Sequence, residues 1–198
     1  TIILVGHRDH VEVIGTKGEA PELTVVIESI EDAQRVVVPD PEKVAYTTQT
    51  TLSVDDVQMI VAVLTRRFPS IIGPKKADIC YATQNRQDAV KKLAQYADLI
   101  LIFGSEESSN AHRLVEVAEK EGVSARLLED ASMLTREMFT DDMVLGISSG
   151  ASTPERLLED ALERLKAFGA KSWESMEGDE ERTHFTLPKI STGEGRMS

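Results

Sequence analysis

A short apolar run that ends in glycine occurs twice in this chain, 98 residues apart. Leu4-Val5-Gly6 corresponds to Ile102-Phe103-Gly104. Further along, Val44-Ala45-Tyr46-Thr47 leads to Ser53-Val54-Asp55, and Met143-Val144-Leu145 leads to Thr153-Pro154-Glu155, an offset of 100. Two offsets that nearly agree predict two copies of one unit. Between these landmarks, short apolar runs alternate with segments of helical periodicity. Such alternation implies parallel sheets with helices on their faces. The predicted fold class is α/β, with two repeated α/β units and mainly parallel sheets.

In the first copy, residues 2–5, 23–27, 36–38 and 44–47 read as strands, and 6–15 as a polar loop. Ser53 with Asp55 and Asp56 starts a helix. Val57, Ile60, Val61 and Leu64 follow at helical spacing, and Pro69 closes the segment. In the second copy, 79–82 reads as a strand holding Cys80, 85–96 as a helix and 99–103 as a strand. Ser108-Ser109-Asn110 opens a helix carrying Leu114, Val115 and Ala118 that stops at Gly122. Residues 125–128 and 143–147 read as strands. Thr153 reads as an N-cap with Pro154 at the first helical position. Leu157, Leu158, Ala161, Leu162 and Leu165 form the stripe of a last helix.

The predicted organisation is a first unit over 1–77, a second over 78–169 and a tail over 170–198. The tail is expected to hold one short strand at 185–188 and then a disordered Gly/Ser-rich end. The second unit opens with a block over 78–98 that the first lacks. The chain also starts inside an apolar run, without methionine. Both features lead to the expectation of a further block ahead of Thr1.

Twenty-two basic residues against 34 acidic ones give a net charge of -12. That argues against a nucleic-acid face, which needs a clustered basic patch, but a local pocket for a small anion remains open. No apolar run approaches the ~20 residues of a membrane helix. The single cysteine, Cys80, excludes an internal disulfide and fits a reducing cytoplasm. It is open to three readings: buried filler, nucleophile or metal ligand.

Polar residues gather just after the ends of strands, where open α/β sheets bind ligands. These loops hold His7, His10 and Glu12; Gln49 and Thr50; Cys80; Ser108, Ser109 and Asn110; and Ser152. Three of them lead into helix N-termini, where free N–H groups and a partial positive charge suit a phosphate. Ser, Thr and Asn at those places also serve as ordinary caps. His-x-x-His-x-Glu is no standard zinc spacing. In a phosphate site His10 could donate to an oxygen and Glu12 could hold or move a proton.

The runs GHRDHVEVIGT (6–16), TTQTTLSVDD (47–56), DICYATQNRQDAV (78–90), GSEESSNAHRL (104–114) and GISSGASTPE (146–155) resemble, in order, the LytB/IspH family. The resemblance runs from Thr1 to about Gly169. It implies a cloverleaf of three similar α/β domains around an iron–sulfur cluster, with this chain resembling the second and third. It implies a cytoplasmic oxidoreductase of non-mevalonate isoprenoid biosynthesis. The implied reaction is reductive removal of the hydroxyl from (E)-4-hydroxy-3-methylbut-2-enyl diphosphate, giving isopentenyl and dimethylallyl diphosphate. Ferredoxin or flavodoxin is the implied electron donor.

Residue by residue, the resemblance assigns Cys80 to a 4Fe-4S cluster, Glu12 to proton relay, and Gln49 and Thr50 to the substrate near its hydroxyl. It assigns His10, Ser108, Ser109, Asn110 and Ser152 to the diphosphate. Val11 stands where the family has proline between His10 and Glu12. The family's cluster uses three cysteines, so two ligands are expected in the absent first domain, together with two further histidines. The other readings are a cluster-free diphosphate-binding module and an inactive fragment.

Overall fold

Leu99–Phe103 is an unbroken apolar run, and all five residues are buried. A strand that is apolar on both faces belongs in the middle of a parallel sheet, and there the structure puts it. The computed structural model describes residues 1–74 and 78–176. The element order is β1 (Ile2–Val5), α1 (Val11–Glu19), β2 (Thr24–Ile27), α2 (Ile30–Arg35), β3 (Ala45–Thr48), α3 (Val54–Arg67), α4 (Tyr81–Leu93), β4 (Leu99–Phe103), α5 (Ser109–Lys120), β5 (Ser124–Leu128), β6 (Leu145–Ser149) and α6 (Glu155–Ala167). Two short 3₁₀ turns separate β5 from β6.

The sheets are parallel and three-stranded, in the orders β2-β1-β3 and β5-β4-β6. In each, the chain leaves the central strand for one neighbour and later crosses to the other. The carboxyl end of each central strand is therefore a switch point, where the connections diverge and leave a crevice. Gly6 and Gly104 stand at those two ends. A Cβ on Gly6 would lie 2.6 Å from Val13 Cγ2, and one on Gly104 2.7 Å from Ala111 Cβ. Val13 and Ala111 are themselves 98 residues apart. In both units glycine lets the following helix close onto the central strand.

Four local readings are corrected. Residues 36–38 form no strand; they follow α2, which Ser29 caps by accepting from the Asp32 N–H. Val36 and Val38 are apolar because they fill the first core. Residues 6–15 are not all loop, since α1 begins at Val11 behind its N-cap His10. Only Val13 of α1 is buried, so no apolar stripe announces the helix. Residues 79–82 are not a strand: Ile79 packs in the first core, and Cys80 is the N-cap of α4. Thr153 does not cap α6. Pro154 holds that position, and the Thr153 hydroxyl donates to the Phe103 carbonyl at 3.0 Å. The tail strand and the disorder expected after it lie outside the described residues.

Helix α4 bonds to both halves. Its Gln87 is buried; Nε2 donates to the Leu52 carbonyl at 2.9 Å and Oε1 accepts from the Val54 N–H at 3.1 Å. Lys91 donates to the Asp55 carboxylate at 2.8 and 2.9 Å. On its other side Arg86 donates to the Ser149 carbonyl and hydroxyl, and Val90 fills the core of the second sheet.

Candidate functional site

The loop between β1 and α1 bonds to α5 through His10 and His7. His10 Nδ1 accepts from the Glu12 N–H at 3.3 Å. A neutral imidazole with one nitrogen accepting carries its proton on the other, so His10 Nε2–H donates to Ser109 Oγ at 2.8 Å. This leaves the Ser109 hydroxyl proton free to donate elsewhere. Ser108 is the N-cap of α5, accepting from the Ala111 N–H at 3.3 Å.

Asn110 is 7% exposed, yet neither Nδ2 nor Oδ1 has a partner among the described residues. Buried polar side chains nearly always have one, and a buried group left without costs about 1–3 kcal/mol. Neither α4 nor α5 has an acidic residue in its first turn, whereas α1 and α6 each have one and α2 and α3 each have two. The positive ends of α4 and α5 therefore carry no carboxylate of their own.

Beside this lies a second cluster. The Thr50 N–H donates to Glu12 Oε1 and Oε2 at 3.0 and 3.2 Å, and the Thr50 hydroxyl donates to Oε2 at 3.1 Å. The Thr50 carbonyl accepts from the Cys80 N–H at 3.4 Å, so the exposed thiol begins α4 next to the residue that orients Glu12. Gln49 is 1% exposed and uses both ends of its amide within the protein. Its Oε1 accepts from the His7 N–H and its Nε2 donates to Thr51 Oγ1, both at 3.0 Å. Asp78 braces the same loop by accepting from the Thr48 N–H and the Thr47 hydroxyl, each at 2.8 Å.

Ser152 lies exposed in the turn between β6 and α6. Gly150 of that turn approaches Ser108 and Ala111, where a Cβ would sit 3.5 Å from Ser108 Oγ. The structure thus gathers His10, Glu12, Thr50, Cys80 and the Ser108–Asn110 turn, places Ser152 at their edge and buries Gln49 behind them. Asp78, Gln87 and Arg113 escaped the sequence reading. Gln87 had one signal: it shares the buried face of α4 with Thr83 and Val90.

The family model for LytB protein matches residues 1–166. The chain belongs to the LytB family. A LytB relative from Aromatoleum aromaticum, named 4-hydroxy-3-methylbut-2-enyl diphosphate reductase, is 48% identical over 188 residues, covering 95% of this chain and 60% of the relative. One of the same name from Methylococcus capsulatus is 47% identical over 191 residues, covering 95% and 61%. The solved structure of the E-1-hydroxy-2-methyl-but-2-enyl-4-diphosphate reductase from Plasmodium falciparum superposes with a TM-score of 0.78 at 40% identity, over 83% of this chain and 52% of that one. The LytB chain described here spans about 60% of the length of the curated relatives it matches. No helix among its described residues is long and apolar enough to cross a membrane.

Iron–sulfur clusters of the four-iron type are held by several thiolates. This LytB chain has one cysteine, and among its described residues no three His, Cys, Asp or Glu side chains converge as metal ligands. On their own, its residues do not fit such a cluster.

Proposed function

We propose that this chain forms the diphosphate-binding and proton-delivering walls of a 4-hydroxy-3-methylbut-2-enyl diphosphate reductase, the activity for which its relatives are named. The observation that carries the reading is the buried amide of Asn110 at a helix start, both ends of which lack a partner among the described residues. An anion there gains a donor from Asn110 Nδ2, another from the Ser109 hydroxyl, and the N–H groups of the first turn of α5. Ser108 and Ser152 would border the anion, and His10 would present Ser109 to it. Gln49 and Thr50 would line the substrate near its hydroxyl, Gln49 by holding the loop in place.

Glu12 is the proton donor in this reading. Thr50 fixes both of its oxygens, so a protonated Glu12 offers its hydrogen in one direction. Delivering that proton to the substrate's hydroxyl turns a poor leaving group into water. Cys80, beside Thr50, would be one ligand of a 4Fe-4S cluster whose other thiolates this chain does not supply. The electrons would come from ferredoxin or flavodoxin, in the cytoplasm. The implied three-domain cloverleaf would have 1–77 and 78–169 as two of its lobes.

A cluster-free diphosphate-binding module is the second reading, favoured by the lone thiol together with an anion site built from this chain alone. Calorimetry with pyrophosphate on the 198-residue chain tests what the two readings share. Binding is expected, and Asn110→Ala should weaken it by about 10-fold or more, since a hydrogen bond to a charged group contributes ~1.5–3 kcal/mol. An unchanged affinity would reduce the Ser108–Asn110 turn to a helix cap.

A further inference from the structure

Arg113 lies on α5 one turn beyond Ser109 and Asn110, on the same face of the helix. Its side chain is only 14% exposed, an unusual degree of burial for arginine. One guanidinium nitrogen lies 3.2 Å from His7 Nε2, and another pairs with Glu116. Its Nε is buried without a partner among the described residues. Beside it is a cavity of about 90 Å³, also lined by Gly6, His7, Glu28, Ser53 and Asp56. The cavity belongs to the first half apart from Arg113, which reaches from α5 to the loop after β1.

A guanidinium has donors and no acceptor. His7 Nε2 must then accept, which places the ring proton on Nδ1. That nitrogen faces Glu28 Oε2 at 3.5 Å, and Arg8 donates to the same carboxylate at 2.8 Å. The tautomer of His7 is thus set from both sides. Its backbone is set as well: the His7 N–H is held by Gln49, and the His7 carbonyl accepts from the His10 N–H at 3.0 Å. His7 and His10 close one tight turn of the loop. Ser109 and Arg113 span one turn of α5. The two turns lie side by side, joined at one end by His10–Ser109 and at the other by His7–Arg113.

We infer that Arg113 is a positioning residue: by donating to neutral His7 it fastens the loop between β1 and α1 against α5, and so sets where His10 stands relative to Ser109 and Asn110. The consequence for anion binding rests on the diphosphate reading above; the fastening does not.

The test uses the 198-residue chain with ¹⁵N-labelled histidine, and the variants Arg113→Met and Arg113→Lys. Methionine keeps length and bulk but removes the donors; lysine restores one donor and the charge. In the unmodified chain His7 should be the Nδ1–H tautomer, and His10 ring protons should show Overhauser contacts to Ser109. Arg113→Met should leave the proton on Nδ1, where Glu28 still faces it, but should shift the ¹⁵N resonance of His7 Nε2 as that nitrogen loses its donor, and should weaken the His10–Ser109 contacts. It should also weaken pyrophosphate binding about 3–10-fold, the range for one lost hydrogen bond. Arg113→Lys should recover part of each change.

A merely structural Arg113 would lower the unfolding midpoint and leave the His7 Nε2 resonance and the His10–Ser109 contacts alone. If Arg113→Met does not fold, His7→Ala cuts the same link from the other side and should weaken the same contacts. The inference is overturned if His7 is the Nε2–H tautomer in the unmodified chain, or if the His10–Ser109 contacts survive both cuts. Should the unmodified chain bind no pyrophosphate, the diphosphate reading fails, while tautomer and contacts still decide the role of Arg113.

Discussion

Replacing Gln87 by leucine tests whether the halves are joined by specific bonds or only by packing. Leucine has nearly the same volume and a good helix propensity, so α4 keeps its shape. What goes is the donor to the Leu52 carbonyl and the acceptor for the Val54 N–H. Leu52 is buried, and the Val54 N–H belongs to the first turn of α3, where no intrahelical acceptor exists. Each buried group left unpaired costs about 1–3 kcal/mol. Leucine returns part of that through its apolar surface, on the order of 1 kcal/mol. The net loss should be roughly 1–5 kcal/mol. For a chain of this size 1 kcal/mol moves the midpoint by about 2–4 °C, so the melting temperature should drop by roughly 2–20 °C. Urea denaturation with an unchanged slope would assign the loss to stability. A loss below about 0.5 kcal/mol, the range of an ordinary surface change, would refute the reasoning.

In an enzyme containing this chain, Glu12→Gln should lower turnover by ~100-fold or more while substrate still binds, because the amide keeps its shape and loses its proton; near-normal turnover would remove Glu12 from the chemistry. Partial burial raises the Asp56 carboxyl, but the hydrogen bond and charge of Lys120, the Ser53 bond and the Arg113 charge together hold it below its ordinary 3.8. The Asp56 bond in turn raises Lys120 above 10.5. The carboxylate's contribution is therefore present above 3.8 and lost as pH falls through the lower folded value, and the ammonium's is present below 10.5 and lost as pH rises through the higher one. Both side chains are about half exposed, so Asp56→Asn should cost less than about 1 kcal/mol near neutrality, a difference that should shrink in urea titrations as the pH is taken below 3.8. After anaerobic treatment with iron and sulfide, the 198-residue chain should hold far fewer than about four irons, since one thiolate cannot retain a cubane; a stable brown species on the monomer would overturn that.

The parts of the fold legible in the sequence are those whose residue patterns follow from burial. β4 is buried on both faces and reads as a solid apolar run. α3 and α5 each present one buried stripe behind a serine cap and read at helical spacing. α1 did not, because Val11 and Ile14 are exposed and Val13 alone faces the sheet. Val36, Val38 and Ile79 misled for the opposite reason: they are buried apolar residues on irregular backbone. At the site, residue types and their position after strand ends pointed to the loops that do converge. The long-range bonds were not legible. Nothing local in Arg113 or Asp78 marks a partner 106 or 30 residues away.

The attachment of α4 bears on how the chain matures as it leaves the ribosome. The strands of the first sheet and α3 emerge before α4 does, and they can collapse on their own apolar residues. Until Gln87 follows, the Leu52 carbonyl and the Val54 N–H must keep water as their partner. Gln87 takes its place only when α4 also docks Val90 beneath the second sheet. The first half is thus sealed by the same event that assembles the second, and a nascent chain halted between them would be recognisable by a wet edge at the start of α3.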